Sequence, residues 1–456
     1  MRSLHDCLPR DGAAKIISLI SHITLLNEEK EPNALSLIKD AAFAIIAGDC
    51  MGAYKLYHDC ARKLLLSPAR RVSGDMFMDH LIWLAVEREH AFAKSSARGE
   101  LDEALLMSFR SDLAALGELA SLDWHDIYRM CAERYRELQA KSRYARDDIS
   151  VMSSAAWTGT EPRPKPQQKD VPLPGDAAAP LPPPSESEWL SWSYGEKEPR
   201  GEYAADEVLE EIYIRLMESP DWRGMAEDLF NLFASSGSGI FLKTRLLKCA
   251  GGTLGLAAAR HEAVALSVQD NAKQALGERI IAFMRGSRPL PVLIHGPKAI
   301  GKTELALSMA DEFPELRAVI IEPMAGADVH RLFERLSAQP LRFMLLIENA
   351  DAYSPLWSPL LCACTGGGLP DNVLPVATGT SASGMEEFVV KIAMDKLELD
   401  AFVNTVKELV EAQAPYLQAD MGWIRNASVD YQLDAHDELN IPAAKLIAQR
   451  YMAEHE

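Results

Sequence analysis

"PLPVLIHGPKAIGKTELALSMADEF", residues 289–313, decides how the chain folds. A short apolar run, Val292 to Ile294, reads as a buried strand. Gly296-Pro297-Lys298-Ala299-Ile300-Gly301-Lys302-Thr303 follows, and then apolar residues recur at helical spacing. This is G-x-x-x-x-G-K-[ST] between a strand and a helix, the phosphate-binding loop. Each residue type has a task. Glycines let backbone N–H groups turn inward around phosphates. The helix beyond the loop presents its positive end to them. Lys302 is expected to bridge the β- and γ-phosphates, and the Thr303 hydroxyl to ligate Mg²⁺.

Downstream, "LRAVIIEP" (316–323), "RFMLLIE" (342–348) and "DNVLPVATGT" (371–380) read as further strands, with "ADVHRLFERLSAQ" (327–339) as a helix between the first two. The alternation predicts a parallel sheet wrapped by helices, with ligands at the carboxyl ends of the strands. Glu348 ends its strand where a metal-holding acid belongs. Asn349 follows it, and Asp351 shares Asn349's face if the strand continues.

Residues from about 205 onward resemble a bacterial AAA+ ATPase family catalogued as a domain of unknown function. "LFNLFASSGSGIF" is similar to that family's helix and Gly-Ser-Gly turn. "ALGERIIAFMRGSRPLPVLIHGPKAIGKTEL" is similar to its helix, strand and phosphate loop, and "LRAVIIEP" follows. "RFMLLIENAD" stands where the family has "RFILFxDDLS", and "GGGLPDNVLPVATGT" where it has "GGL…PxNVLIYATSN". The resemblance implies ATP and Mg²⁺ as cofactors. It implies that Glu348 holds Mg²⁺ through water, on a longer arm than the family's Asp. The family's second acid orients and polarises the attacking water. Asn349 can hydrogen-bond that water but cannot take its proton. The resemblance thus makes Glu348, Asn349 and Asp351 the catalytic candidates, and Thr303 and Glu348 the metal ligands. The family's sensor Asn falls at Thr380, which still offers a hydroxyl to the γ-phosphate. Ser381 and Ala382 stand where two arginines follow in the family. No arginine finger is placed, and Lys445 is the nearest basic candidate for a C-terminal sensor, with Arg450 further along.

The rest of the chain divides by composition. Residues 1–150 read as an all-helical domain, a candidate interaction module. Gly48, Ala53, Tyr57 and Cys60 fall at tetratricopeptide offsets, but the full repeat signature is absent and a generic bundle fits better. Residues 151–200 are a Pro-rich linker expected to be disordered. It ends in "EWLSWSYGE", where Trp189, Trp192 and Tyr194 form either a docking motif or an arm that packs on the chain's own domain. Residues 201–288 read as a helical lead-in, 289–385 as the α/β P-loop core and 386–456 as a helical lid.

The chain of 456 residues is 48% hydrophobic and 25% charged, with a net charge of −19. That acidity argues against nucleic acid as a partner. The seven cysteines are scattered and read as reduced cytoplasmic thiols. No apolar run reaches the ~20 residues that span a bilayer, so no membrane association is expected. A protein partner met through the N-terminal helices, and a homo-oligomer, complete the expectations. Three functional readings stay open. One is a nucleotide-gated switch with weak or absent hydrolysis. Another is an active AAA+ ATPase that remodels a client as an oligomer. The last is a helical scaffold with a non-functional ATPase module.

Overall fold

The computed structural model describes residues 9–27, 32–155, 181–195, 206–257, 266–322, 326–350, 358–360, 362–363, 368–386, 388–435 and 439–455. They divide into two compact units. The first lies chiefly within Met1–Ser96, Glu100–Gly201 and Asp206–Leu232, and the second within Phe233–Glu456.

The first unit is helical. It contains α1 (Pro9–His22), α2 (Ala34–Ala47), α3 (Cys50–Leu65), α4 (Met76–Val86), α5 (Ala91–Ala97), α6 (Glu103–Leu119), α7 (Trp124–Ala155), α8 (Asp206–Glu218) and the start of α9 (Ala226–Ser236). Side-chain oxygens set several helix starts. Asn33 caps α2, Asp75 caps α4 and Asp102 caps α6, each accepting first-turn N–H groups. Gly48 ends α2 in the left-handed region, at φ 88°. Residues 206–218, read from sequence as lead-in to the α/β core, pack within this helical unit.

The aromatic stretch after the prolines packs on this unit. Trp192 and Trp189 are buried. Trp192 stacks on Tyr57 with ring centroids 5.6 Å apart and meets Phe77 at 4.7 Å. Backbone bonds fasten it, with Met76 N–H donating to Trp192 O at 2.9 Å and Tyr194 N–H to Gly74 O at 3.1 Å. The Tyr194 hydroxyl donates to Asp79. Of the two readings of this segment, the arm is the one the contacts match.

His80 and His90 are buried in the same unit, and burial pushes both imidazoles down to about 4. His90 is committed to its neutral form at both nitrogens. Its Nδ1 accepts from Ala93 N–H at 3.2 Å, and its Nε2 lies 3.2 Å from Ala85 O. In the unfolded chain both rings take a proton near pH 6.5. Between pH 6.5 and about 4 the unfolded state therefore holds more protons, and stability falls as pH falls. Each ring accounts for on the order of 3 kcal/mol across the whole window. Asp75 and Asp79, raised chiefly by burial, act in the opposite sense, losing stability as pH rises from the usual carboxylate range. We expect the urea midpoint of the helical unit to drop from pH 7 to pH 5, and the drop to shrink in His90→Gln. Equal midpoints at both pH values would contradict neutral buried rings.

The second unit is built on a seven-stranded sheet of order β2-β1-β4-β5-β6-β3-β7. The strands are β1 (Leu246–Ala250), β2 (Thr253–Leu256), β3 (Val292–His295), β4 (Leu316–Ile321), β5 (Arg342–Ile347), β6 (Val373–Gly379) and β7 (Val390–Ala393). Every pairing is parallel except the β1–β2 hairpin, which turns through Gly251 and Gly252 with positive φ. The strands are near-continuous apolar runs because both faces are covered. Leu293, Val319, Leu345 and Ile347 point to the face holding α13 (Gly326–Ser337), after the short α10 (Ile240–Lys243). Val292, Ile294, Ile320 and Leu346 point to the face holding α11 (Asp270–Met284) and α12 (Lys302–Glu312). The helices α14 (Leu399–Gln413), α15 (Met421–Ala435) and α16 (Ile441–His455) share a separate core around Phe402, Val406 and Ile447.

Two stretches differ from their sequence readings. Residues 246–256 fall in the stretch read as a helical lead-in, yet they form the β1–β2 hairpin at one edge of the sheet. "FVVKIAM" reads as part of a lid helix, yet Val390–Ala393 forms β7, paired in parallel with β3. Its β-branched residues suit an edge strand, and only the open side of β3 supplies a partner. Among the described cysteines, Cys50, Cys60, Cys131 and Cys249 are buried and Cys362 is exposed. Cys364 lies outside the described residues. No helix among the described residues is long and apolar enough to cross a membrane.

Candidate nucleotide site

The loop Gly296–Gly301 leaves the carboxyl end of β3 and enters α12 at Lys302. Its backbone is left-handed at three points, Gly296 (φ 153°), Ala299 (φ 59°) and Gly301 (φ 83°). An alanine there carries strain of a kind that persists where the surroundings enforce it. At Gly296 a Cβ would lie 2.1 Å from Met394 O, the carbonyl just past β7. Met394 N–H donates back to His295 O at 2.8 Å. The end of β7 thus closes over the start of the loop, and no side chain fits between. Ile300 anchors the loop in the core beside α12. Gly301 begins the helix with no side chain to cap it, so the first-turn N–H groups of α12 form the positive end expected of an anion cradle.

Lys302 is buried, 7% exposed, and its ammonium lies across the loop. Nζ donates to Gly296 O at 3.0 Å and to Pro297 O at 2.5 Å. Thr303, the second residue of α12, is half-buried, while Lys298 and Ala299 are exposed.

Register places the acid. Ile347 of β5 pairs with Ala377 of β6, and Gly379 of β6 pairs with His295 of β3. Glu348 is therefore level with Thr378, two strand spacings or about 10 Å from the strand that carries the loop. Thr380, exposed, follows Gly379 between them. Loop, Glu348 and Thr380 occupy one carboxyl edge.

The turn after Glu348 departs from expectation. β5 ends at Ile347, and residues 348–350 turn. Asn349 is left-handed, at φ 51°, a conformation asparagine tolerates better than most residues. Buried Thr378 holds this turn. Its Oγ1 accepts from Asn349 N–H at 3.1 Å, and its carbonyl from Ala350 N–H at 2.8 Å. With the strand ended, alternation along it no longer joins Asp351 to the face of Asn349. Asp351 itself lies outside the described residues. Of the basic candidates, Lys445 is exposed, and Arg450 is engaged by Glu454 at 2.8 Å and lies over the Trp423 ring.

Among the described residues, no group of three or more His, Cys, Asp or Glu is placed to hold a metal ion. Mg²⁺ does not require one. It keeps several waters and takes one or two protein oxygens plus phosphates, and Thr303 and Glu348 are donors of that kind. The loop fits phosphate on its own geometry, a cradle closed to any Cβ at Gly296, an uncapped helix start and a buried ammonium.

Residues without a sequence signal complete the site. Thr378 orients the turn at Glu348. Gln269, ahead of α11, donates from Nε2 to Ile300 O at 3.2 Å and lies 3.4 Å from Gly301 O. Ile441, opening α16, donates its N–H to Ala299 O at 2.9 Å.

No protein-family model matches the chain, and no curated protein matches it in sequence. Solved structures do. The RuvB Holliday junction branch migration motor of Thermotoga maritima is 17% identical with a TM-score of 0.29, over 41% of this chain and 69% of that one. Caenorhabditis elegans PCH-2 is 11% identical with a TM-score of 0.28, over 42% and 70%. The Aeropyrum pernix ORC1 protein in complex with DNA is 13% identical with a TM-score of 0.28, over 41% and 66%. RuvB, PCH-2 and ORC1 are AAA+ P-loop ATPases. What makes the second unit of this chain an α/β P-loop fold is its own sheet, with a strand, glycine loop and helix at the carboxyl edge.

The expectation about partners is corrected. Net charge argued against nucleic acid, yet these structures include a protein bound to DNA and a Holliday junction motor. Net charge is a sum over 456 residues. The potential met by a ligand is set by the charges around one surface, so the sum excludes no class of partner.

Proposed function

We propose that the chain binds ATP with Mg²⁺ at the Gly296–Thr303 loop in an AAA+-like manner and hydrolyses it slowly or not at all, so that the bound nucleotide acts as a conformational signal. The observation that carries this reading is the pairing of a complete phosphate loop with an amide, Asn349, in the turn where a hydrolytic site needs an acid. Lys302 and the first N–H groups of α12 hold phosphate oxygens. Thr303 and Glu348 offer oxygens to the metal, which when bound neutralises phosphate charge. Asn349 can orient a water but cannot accept its proton. Thr380 offers a hydroxyl on the same edge.

Titration of a fluorescent ATP analogue with Mg²⁺, beside a phosphate-release assay with ATP, tests the reading. Lys302→Ala is expected to weaken binding by about thirtyfold, the loss of charge-assisted hydrogen bonds. Phosphate release from the unaltered chain is expected to be barely above the Lys302→Ala background. Rapid release that Lys302→Ala abolishes would make this an active ATPase with its base elsewhere. Equal, negligible binding by both would remove the nucleotide reading.

A further inference from the structure

Three consecutive carbonyls of the phosphate loop, those of Ala299, Ile300 and Gly301, are engaged by groups from outside the loop. Ile441 N–H of α16 takes the first at 2.9 Å. The Gln269 amide takes the second at 3.2 Å and approaches the third at 3.4 Å. Gln269 is buried, 6% exposed, and its approach is close enough that a Cβ on Gly301 would lie 2.4 Å from Nε2. In a trans peptide the C=O and the following N–H point in opposite directions. A donor that holds the carbonyl of Ile300 on one side therefore aims the N–H of Gly301 to the other. Holding the carbonyls of Ala299 and Gly301 does the same for the N–H groups of Ile300 and Lys302.

Gln269 is also tied to the C-terminal helices. It closes the 3₁₀ turn Ser267–Gln269. Leu266, just before that turn, is buried in one cluster with Phe402 of α14 and Ile441 of α16. Ser267 N–H donates to Glu408 Oε2 of α14 at 3.0 Å. The loop carbonyls are thus held by one residue of α16 and by one residue whose own turn is fastened to α14.

We propose that Gln269 is a positioning residue for the nucleotide, one that orients the inward N–H groups of the phosphate loop and links their grip to the placement of α14–α16. The proposal rests on the nucleotide reading above. Phosphate drawn to the loop tightens peptides that Gln269 and Ile441 already hold, and a shift of the helices loosens them.

The test uses the full chain, the fluorescent ATP analogue with Mg²⁺, and hydrogen exchange over Leu399–Gln413 and Ile441–His455 with and without nucleotide. Gln269→Glu keeps the shape but sets an acceptor against two carbonyls. Its Kd is expected to rise more than about tenfold at neutral pH. Relative to the unaltered chain it recovers in acid, because burial against two carbonyl oxygens raises the carboxyl above its usual range, and once protonated it can donate. Gln269→Met keeps length and packing without a donor, so its Kd rises by about tenfold with no recovery in acid. It also carries the test should the glutamate variant fail to fold. In both variants, nucleotide no longer protects Leu399–Gln413. Kd values within about twofold of the unaltered chain, with protection retained, would overturn the role of Gln269. If that result comes with binding that Lys302→Ala weakens as expected, the nucleotide reading survives and this proposal alone falls. An unaltered chain that binds no nucleotide takes both down.

Discussion

Asn349→Asp raises single-turnover phosphate release by about a hundredfold or more, the range a positioned general base supplies. Several features make this substitution informative. Asn349 sits in the left-handed region at φ 51°, and aspartate shares asparagine's tolerance of that conformation. The bonds that hold the turn come from backbone N–H groups to Thr378, so they do not depend on the side chain at 349. The residue is exposed on the carboxyl edge, directly after Glu348. The change therefore adds an acceptor for a proton and leaves the turn intact. Asn349→Ala is the control, and it should gain nothing. If the aspartate variant releases phosphate no faster than the unaltered chain, the amide at 349 is not what limits hydrolysis.

Gly296→Ala is expected to abolish saturable nucleotide binding, a loss of at least about a hundredfold in affinity. The added methyl carbon would meet Met394 O at 2.1 Å and the Ile300 Cδ1 at 3.1 Å. The side chain could shift, but the carbonyl is backbone. Met394 is fastened by its N–H to His295 O and follows β7, which is paired along β3. At φ 153° the alanine would also be strained whatever the space around it. Relief requires the loop to leave β7, which scatters the N–H groups that hold phosphate. Titration of the fluorescent analogue together with a thermal melt checks this. Affinity within about threefold of the unaltered chain would show that the loop adapts and that its closeness to β7 does not matter for binding.

Much of the site was legible because its chemistry is written in consecutive residues. Gly296 to Thr303 carry the loop in order, and the apolar run 343–347 leads to Glu348 without interruption. The parallel sheet followed from alternating apolar runs and helical patterns, and four of its strands were readable. β7 was not, because "VVKIAM" suits an edge strand and a helix alike until β3 supplies a partner. The β1–β2 hairpin was hidden for a similar reason, since Leu246–Leu256 is apolar without a clear period. The arm at Trp189–Tyr194 could be seen as an aromatic cluster, but whether it docks elsewhere or at home depends on Tyr57 and Phe77, more than a hundred residues earlier in the chain.

The sequence by itself determined the local matters, a phosphate loop with its lysine and threonine, an acid closing one strand, and an amide after it. These are properties of neighbouring residues, where side-chain type and backbone freedom act over a few bonds. Only the tertiary structure decided how those pieces act together. It ended β5 before Asn349, which removed the alternation that had coupled Asp351 to it. It brought Thr378 under the turn, Met394 over the first glycine, and Gln269 and Ile441 against the loop carbonyls. Each of those contacts joins residues 28 or more positions apart, and no pattern in the chain encodes them, because backbone carbonyls and amides are the same at every residue and only folding chooses which of them meet.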